Sequence, residues 1–346
     1  MEIKTKLAAS LCEWYSANKR ELPWRDSGDP YDVWISEIML QQTRIEAVKE
    51  KYKRFKEILP DIDSLANCES ENLMRLWEGL GYYARARNLK KCAMVLRDQF
   101  NSHLPSDYNK LLSLPGIGPY TAGAISSICF NLPHAAVDGN VLRVLSRLFE
   151  SSQDVRQESV KAQYAKCIEN TFDKGVSPSI FNQALMELGE TVCLPNAAPL
   201  CVQCPWESEC MAHNHGTTET IPVRSALKKR RIVERTLLII RDGDRFVLRK
   251  RNENGLLGGL YEFIGIDHPL SQRQAIQEAE KLGFHVMRAS RLPNAIHIFT
   301  HLEWHMQAFE LQVDDIHDAV SFTREQLSSL AIPSAFRVYT DYYALR

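Results

Sequence analysis

The chain has 346 residues, of which 45% are apolar and 25% charged, which is enough for two globular domains. Charged residues interrupt every apolar run before it reaches bilayer length, which excludes a helical membrane span. A net charge of −1 gives no bulk attraction for a polyanion, so any nucleic-acid contact must come from local basic segments.

Met1-Glu2-Ile3-Lys4 lacks the basic stretch and apolar core of a secretory signal, and a cytoplasmic protein is expected. Up to about residue 200 the pattern is helical. Val48, Tyr52, Phe55 and Leu59 recur at helical spacing, as do Leu89, Ala93 and Leu96, with Pro60, Pro105, Pro115 and Pro133 between segments. Ala84 to Arg97 holds five basic residues, which suit either phosphate contact or an ordinary solvated face. Leu114-Pro115-Gly116-Ile117-Gly118-Pro119-Tyr120-Thr121-Ala122 reads as a short turn between helices. Its glycines permit positive φ and close approach, and amides opening the next helix attract an anion; a tight structural corner is the plainer reading. Val137-Asp138-Gly139-Asn140 opens a further helix, with Asp138 as a candidate N-cap.

Of the nine cysteines, Cys12, Cys68, Cys92, Cys129 and Cys167 are scattered and read as small buried hydrophobes. Cys193, Cys201, Cys204 and Cys210 are separated by gaps of seven, two and five residues. Four soft ligands so placed suit either an iron–sulfur cluster or tetrahedral zinc. The pattern then changes. His213 to Lys229 is polar, and Pro222 to Arg251 carries eleven Lys/Arg against three Asp/Glu. Thr236–Ile240, the Asp242-Gly243-Asp244 turn and Phe246–Leu248 read as a β-hairpin, Gln272–Leu282 as a helix and Trp304–Leu311 as a strand. The organisation is multidomain: an all-α part over 1–215 including the cysteine loop, a basic linker over 216–231, and an α+β part over 232–346.

Trp34-Ile35-Ser36-Glu37-Ile38-Met39-Leu40-Gln41-Gln42-Thr43 and Gly79-Leu80-Gly81-Tyr82-Tyr83-Ala84-Arg85-Ala86-Arg87-Asn88 resemble MutY-type adenine glycosylases. Leu114–Thr121 resembles the hairpin of the helix-hairpin-helix DNA glycosylases, Asp138 matches the aspartate that follows it, and the likeness runs over nearly the whole chain. The second part resembles a Nudix-like fold, notably at Gly255-Leu256-Leu257-Gly258-Gly259-Leu260-Tyr261-Glu262-Phe263. Arg273, Glu278 and Glu280 remain where a Nudix metal box would lie, but the box is not intact, so recognition rather than nucleotide hydrolysis is expected of it.

The resemblance implies base excision repair: adenine is flipped from a mispair with 8-oxoguanine or guanine in double-stranded DNA and its N-glycosidic bond hydrolysed. Glu37 is then the proton donor and Asp138 the carboxylate that stabilises the sugar cation, supported by Asn140 and Tyr120. Each has a plainer reading, Glu37 as a paired helix carboxylate and Asp138 as a cap alone. In lyase relatives a lysine follows the hairpin; Tyr120 stands there and cannot form a Schiff base, which implies a monofunctional enzyme. The adenine pocket is expected from Trp24, Arg25, Leu40 and Gln183. Contact with DNA and the opposite base is expected from Gln42, Tyr82, Gly116, Gly118 and the Phe299-Thr300-His301 loop, with Tyr82 and Phe299 as wedges. The family pattern selects one [4Fe–4S] cluster on Cys193, Cys201, Cys204 and Cys210, although its usual first gap is six residues. A monomer is expected, nucleoid-associated in a bacterium; contact with a sliding clamp would suit post-replicative repair, but no clamp motif is identified. The rival readings are an endonuclease III-like glycosylase/lyase and a non-catalytic lesion-binding protein.

Overall fold

The computed structural model describes residues 1–25, 27–226, 229–252, 255–327 and 330–345; Lys228, counted in the basic linker, lies outside them. The chain forms two compact units, one of residues 1–68 with 87–226 and one of residues 69–86 with 227–346.

The helical elements are α1 (Thr5–Asn18), α2 (Pro30–Leu40), α3 (Ile45–Ile58), α4 (Ile62–Asn67), α5 (Ser70–Leu76), α6 (Ala84–Phe100), α7 (Tyr108–Ser113), α8 (Pro119–Phe130), α9 (Gly139–Leu148), α10 (Glu158–Phe172), α11 (Pro178–Thr191) and α12 (Met211–Asn214). Their boundaries follow local chemistry. Pro30, Pro119 and Pro178 open α2, α8 and α11, where a missing N–H has no intrahelical partner to lose. Asp29, Asp138 and Ser177 cap α2, α9 and α11 through side-chain oxygens. The core of the first unit is built by Leu11 and Tyr15 of α1, Val141, Leu145 and Leu148 of α9, Tyr164 and Ile168 of α10, and Phe181, Leu185 and Leu188 of α11. Nothing but side chains of this size excludes water there, so helix-to-helix burial is the main stabilising force.

The second unit carries a mixed sheet of β1 (Arg231–Asp242), β2 (Arg245–Val247), β5 (Ile264–Ile266), β6 (Val286–Ile298), β7 (Leu302–Val313) and β8 (Ser321–Thr323), with β3 (Arg249–Lys250) and β4 (Tyr261–Glu262) as a separate ribbon. The β1–β2 hairpin is present, with Asp242 opposite Arg245. The longest pairing of β1, however, is parallel, to β7, from Arg231–Leu302 to Arg241–Gln312. That explains the unbroken apolar run in β1. Leu237 and Ile239 pack with Trp304, Met306 and Phe336 on one side, while Leu238 and Ile240 pack with Phe309 and Leu311 on the other. Helix α13 (Gln272–Lys281) covers the second side through Ala275 and Ala279 and is opened by a Ser271–Gln274 capping box. Among the described residues no helix is long and apolar enough to cross a membrane.

Candidate active site

A cleft of about 1090 Å³ opens in the helical unit between α2, the α8–α9 region and α11. It brings together Trp24, Arg25, Glu37, Leu40, Gln42, Tyr120, Asp138, Asn140 and Gln183, residues scattered over 160 positions of sequence. Glu37 sits on α2 with only 8% of its surface exposed. Burial pushes its pKa up to about 7; the nearby Asp138 charge adds to this, while Arg25 and a hydrogen bond from Tyr120 oppose it. Tyr120, second residue of α8, donates its hydroxyl to Glu37 Oε2 at 2.5 Å, with Met186 Sδ 3.3 Å away. Burial, then the Glu37 charge, raises the phenol well above its ordinary range, so it serves as a donor.

Asp138 faces the same cleft from the start of α9. Its Oδ1 accepts the Val141 amide at 2.8 Å and its Oδ2 accepts from Asn140 Nδ2 at 2.9 Å. Burial raises this carboxyl too, but these donors favour its ionised form and hold the rise back. The cap and the cleft carboxylate are one residue in two roles. Asn140 also donates to Glu190 and accepts from Arg143 Nη2, which donates to Gly189 O as well, while Arg143 Nε donates to Cys193 O. Gly189 is required for this approach, since a Cβ there would meet Asn140 Cβ at 2.5 Å.

Glu187, which the sequence reading passed over, also lines the cleft. It is 1% exposed and takes hydrogen bonds from Arg20 N and Nε at 3.0 and 2.6 Å and from Arg25 Nη2 at 2.9 Å. Burial opposes ionisation, yet the two guanidinium groups hold its pKa below the usual range. Its place on the inward face of α11, in Gln183-Ala184-Leu185-Met186-Glu187-Leu188, was the only available signal. A charge between buried leucines needs a partner.

The hairpin between α7 and α8 forms as expected, but its two glycines differ. Gly116 has φ +79° and approaches Asn88, where a Cβ would stand 2.6 Å from Asn88 Cβ. Gly118 is extended and caps α8, so positive φ is used only once. Gln42 and Tyr82 are exposed and both adopt left-handed φ, +57° and +47°. Such backbone costs about 1 kcal/mol for a non-glycine residue and is maintained where a side chain must be held outward.

In the second unit Phe299, Thr300 and His301 form the β6–β7 turn, closed by Phe299 N to Leu302 O at 2.8 Å. Thr300 and His301 are exposed, and Thr300 Oγ1 lies 2.9 Å from Tyr82 Oη within this unit. Phe299 turns inward instead, its ring 4.8 Å from that of Trp304 and packed against the sheet core. In this structure the half-buried ring supports the turn. His297 and His305 lie on the paired strands β6 and β7.

The four clustered cysteines follow α11. Arg147 Nη1 donates to Cys193 Sγ at 3.2 Å, and Cys210 Sγ donates to Arg147 O at 3.4 Å. Burial raises Cys204 to about 12, with the other three thiols adding to it. Among the described residues no three Cys, His, Asp or Glu side chains stand in metal-binding geometry. The donor set nevertheless fits a soft metal centre. Four mutually repelling sulfurs in one half-buried loop need positive charge to ionise together, and Arg147 alone does not supply it. The extra residue of the first gap is absorbed by a bulge, with both Leu194 N and Leu200 N bonded to Val192 O.

A helix-hairpin-helix frame with a buried and a half-buried carboxyl group facing one cleft defines a class, that of the DNA glycosylases. Residues 35–170 match the model of the HhH-GPD superfamily of base excision DNA repair proteins, and residues 235–342 that of the NUDIX domain. The chain is 32% identical to the adenine DNA glycosylase of Mus musculus, covering 98% of this chain and 78% of that one. It is 36% identical to that of Buchnera aphidicola subsp. Baizongia pistaciae, covering 73% and 72%. Among solved structures, a non-covalent endonuclease III–DNA complex aligns with a TM-score of 0.51 at 25% identity, covering 62% of this chain and 99% of that one. The chain belongs to the MutY-type adenine DNA glycosylase family, enzymes of base excision repair that act on N-glycosyl bonds.

Proposed function

We propose that this enzyme hydrolyses the N-glycosidic bond of adenine mispaired with 8-oxoguanine or guanine and leaves the DNA strand uncut. The observation that carries the reading is the Glu37–Tyr120–Asp138 constellation, in which burial keeps one carboxyl protonated near neutral pH while hydrogen bonds favour the ionised form of the other. Glu37 gives its proton to adenine N7, so the C1′–N9 bond breaks with its electron pair leaving on a neutral base. The sugar cation that develops lies against the Asp138 carboxylate. Water then adds at C1′ and returns its proton to Glu37. Asn140 holds Asp138 in place for this, and Tyr120 holds Glu37.

Trp24 and Leu40 wall the base, with Arg25 and Gln183 at its polar edge. Gln42 and Tyr82 meet the opposite purine and its stack, and the exposed Thr300 and His301 read its oxidised edge. The Gly116–Gly118 hairpin takes backbone phosphate. The cleft lining includes Arg20, Arg25 and Arg44 but no lysine among the described residues, which supports a monofunctional reaction. Cys193, Cys201, Cys204 and Cys210 hold one [4Fe–4S] cluster, whose contribution is to shape the loop after α11; hydrolysis needs no electrons.

Single-turnover assays on duplexes with adenine opposite 8-oxoguanine, guanine or thymine test this, with alkali to reveal abasic sites. Release fastest opposite 8-oxoguanine, slower opposite guanine and least opposite thymine is expected, with strand scission only after alkali. A protein–DNA adduct trapped by borohydride would overturn the monofunctional assignment. Purified protein should contain iron and sulfide in equal amounts; stoichiometric zinc would overturn the cluster.

A further inference from the structure

Asp138 can stabilise a sugar cation only with charge that its neighbours do not offset, and one of those neighbours is positive. Arg143 is 3% exposed and is fixed by its bonds to Asn140 Oδ1, Gly189 O and Cys193 O. Its guanidinium interacts with the Asp138 charge. A cation and a single carboxylate so placed would partly cancel at the sugar. A second carboxylate prevents that.

Glu190 lines the same cleft from the last turn of α11 and is exposed. Asn140 Nδ2 joins it to Asp138, giving one N–H to Asp138 Oδ2 at 2.9 Å and the other to Glu190 Oε1 at 2.8 Å. Sharing one nitrogen, the two oxygens lie within about 6 Å of each other. Arg143 interacts with the Glu190 charge as well. The helix gains nothing from this placement, since a carboxylate in its last turn meets the negative end of the dipole, and that turn holds no basic residue. DNA binding gains nothing either, because an exposed carboxylate repels phosphate. What the placement does favour is a positive charge that exists only while the glycosidic bond breaks.

We propose that Glu190 is a positioning residue for the reaction: tied to Asp138 through the Asn140 amide, it offsets Arg143 so that a net negative charge faces the sugar cation. This rests on the reading of Asp138 as the carboxylate beside that cation. The other groups that bear on Asp138 are Glu37 of α2 and the Tyr120 phenol of α8, while Arg25 is bonded to Glu187. Burial raises the Asp138 carboxyl, and the Glu190 charge adds to the rise.

Glu190→Gln keeps an oxygen for the Asn140 amide and removes the charge, whereas Glu190→Asp keeps the charge. With enzyme saturating near neutral pH, Glu190→Gln should slow single-turnover adenine release about fivefold. Glu190→Asp should recover most of that rate, and neither should weaken binding to a duplex carrying an uncleavable adenine nucleotide. The ratio of wild-type to Glu190→Gln rates should shrink as salt is raised, because the group is exposed. In Glu190→Gln the acid limb of the rate profile should move to lower pH, since Asp138 loses a negative neighbour, while the alkaline limb set by Glu37 stays. An unchanged rate in Glu190→Gln, with loss only in Glu190→Ala, would make Glu190 a hydrogen-bond tether and overturn the proposal. Asp138→Asn separates the two readings. If it abolishes release and Glu190→Gln alters nothing, only the role of Glu190 falls. If Asp138→Asn releases adenine normally, the role of Asp138 falls, and that of Glu190 with it.

Discussion

Two carboxyl groups, Glu37 and Glu187, line one cleft, and both are almost fully buried. Their charge states differ because their neighbours do. Glu187 is met by two guanidinium groups and stays ionised, while Glu37 is met by a phenol and the distant positive charge of Arg25 and is held near pKa 7. Burial alone does not raise a carboxyl's pKa to neutrality. It does so only where full charge compensation is withheld, and this cleft contains one example of each outcome.

The sharpest way to break this comparison is to remove each carboxylate. Glu37→Gln should slow adenine release about a thousandfold while leaving duplex binding, read by fluorescence anisotropy, intact. Unimpaired release would take the acid role from Glu37. Glu187→Ala should instead act on the fold, because it leaves the largely buried Arg25 guanidinium and the part-exposed Arg20 without their carboxylate; a loss of about 2 kcal/mol in urea unfolding is expected. Should stability be unaltered, the Glu187 corner is not the structural counterweight described.

Proton linkage sharpens the difference further. Glu37 must be protonated to act, so the single-turnover rate should fall about tenfold per unit above about pH 7; an opposite fall is expected at acid pH, where Asp138 loses its charge. Glu37 titrates near its ordinary 4.5 in the unfolded chain. The native state therefore loses stability as pH rises between 4.5 and about 7, and Glu37→Gln should raise Tm more at pH 8 than at pH 4. The smallest effect is expected from Tyr120→Phe. Its hydroxyl favours the Glu37 carboxylate, so removing it should move the descending limb of the rate profile to higher pH, by less than about one unit. A downward move would contradict the donor role assigned to Tyr120.

What could be read in advance depended on how far apart the partners lie. The hairpin, the Asp138 cap and the cysteine loop are local, and their residues announce them. Glu37 was legible only because a whole motif surrounds it. Glu187 was missed since its partners, Arg20 and Arg25, are 167 and 162 residues away. The left-handed backbone at Gln42 and Tyr82 leaves no mark, as neither residue type advertises positive φ. The wedge reading of Phe299 came from the resemblance alone, and the edge-on contact of its ring with Trp304 is visible only in the fold. The parallel β1–β7 pairing was equally hidden behind a correct hairpin.

That pairing has a consequence for how the protein is made. The run Leu237-Leu238-Ile239-Ile240 leaves the ribosome before its partner strand, which begins at Leu302, has been synthesised. At ordinary rates of translation the interval is several seconds, during which four adjacent β-forming residues lack both their edge partner and the helix that covers them. Such a segment is a template for association between nascent chains. The basic residues on either side, Arg230 and Arg231 before it and Arg241 and Arg245 after it, are placed where gatekeeping charges keep neighbouring copies apart until the sheet closes.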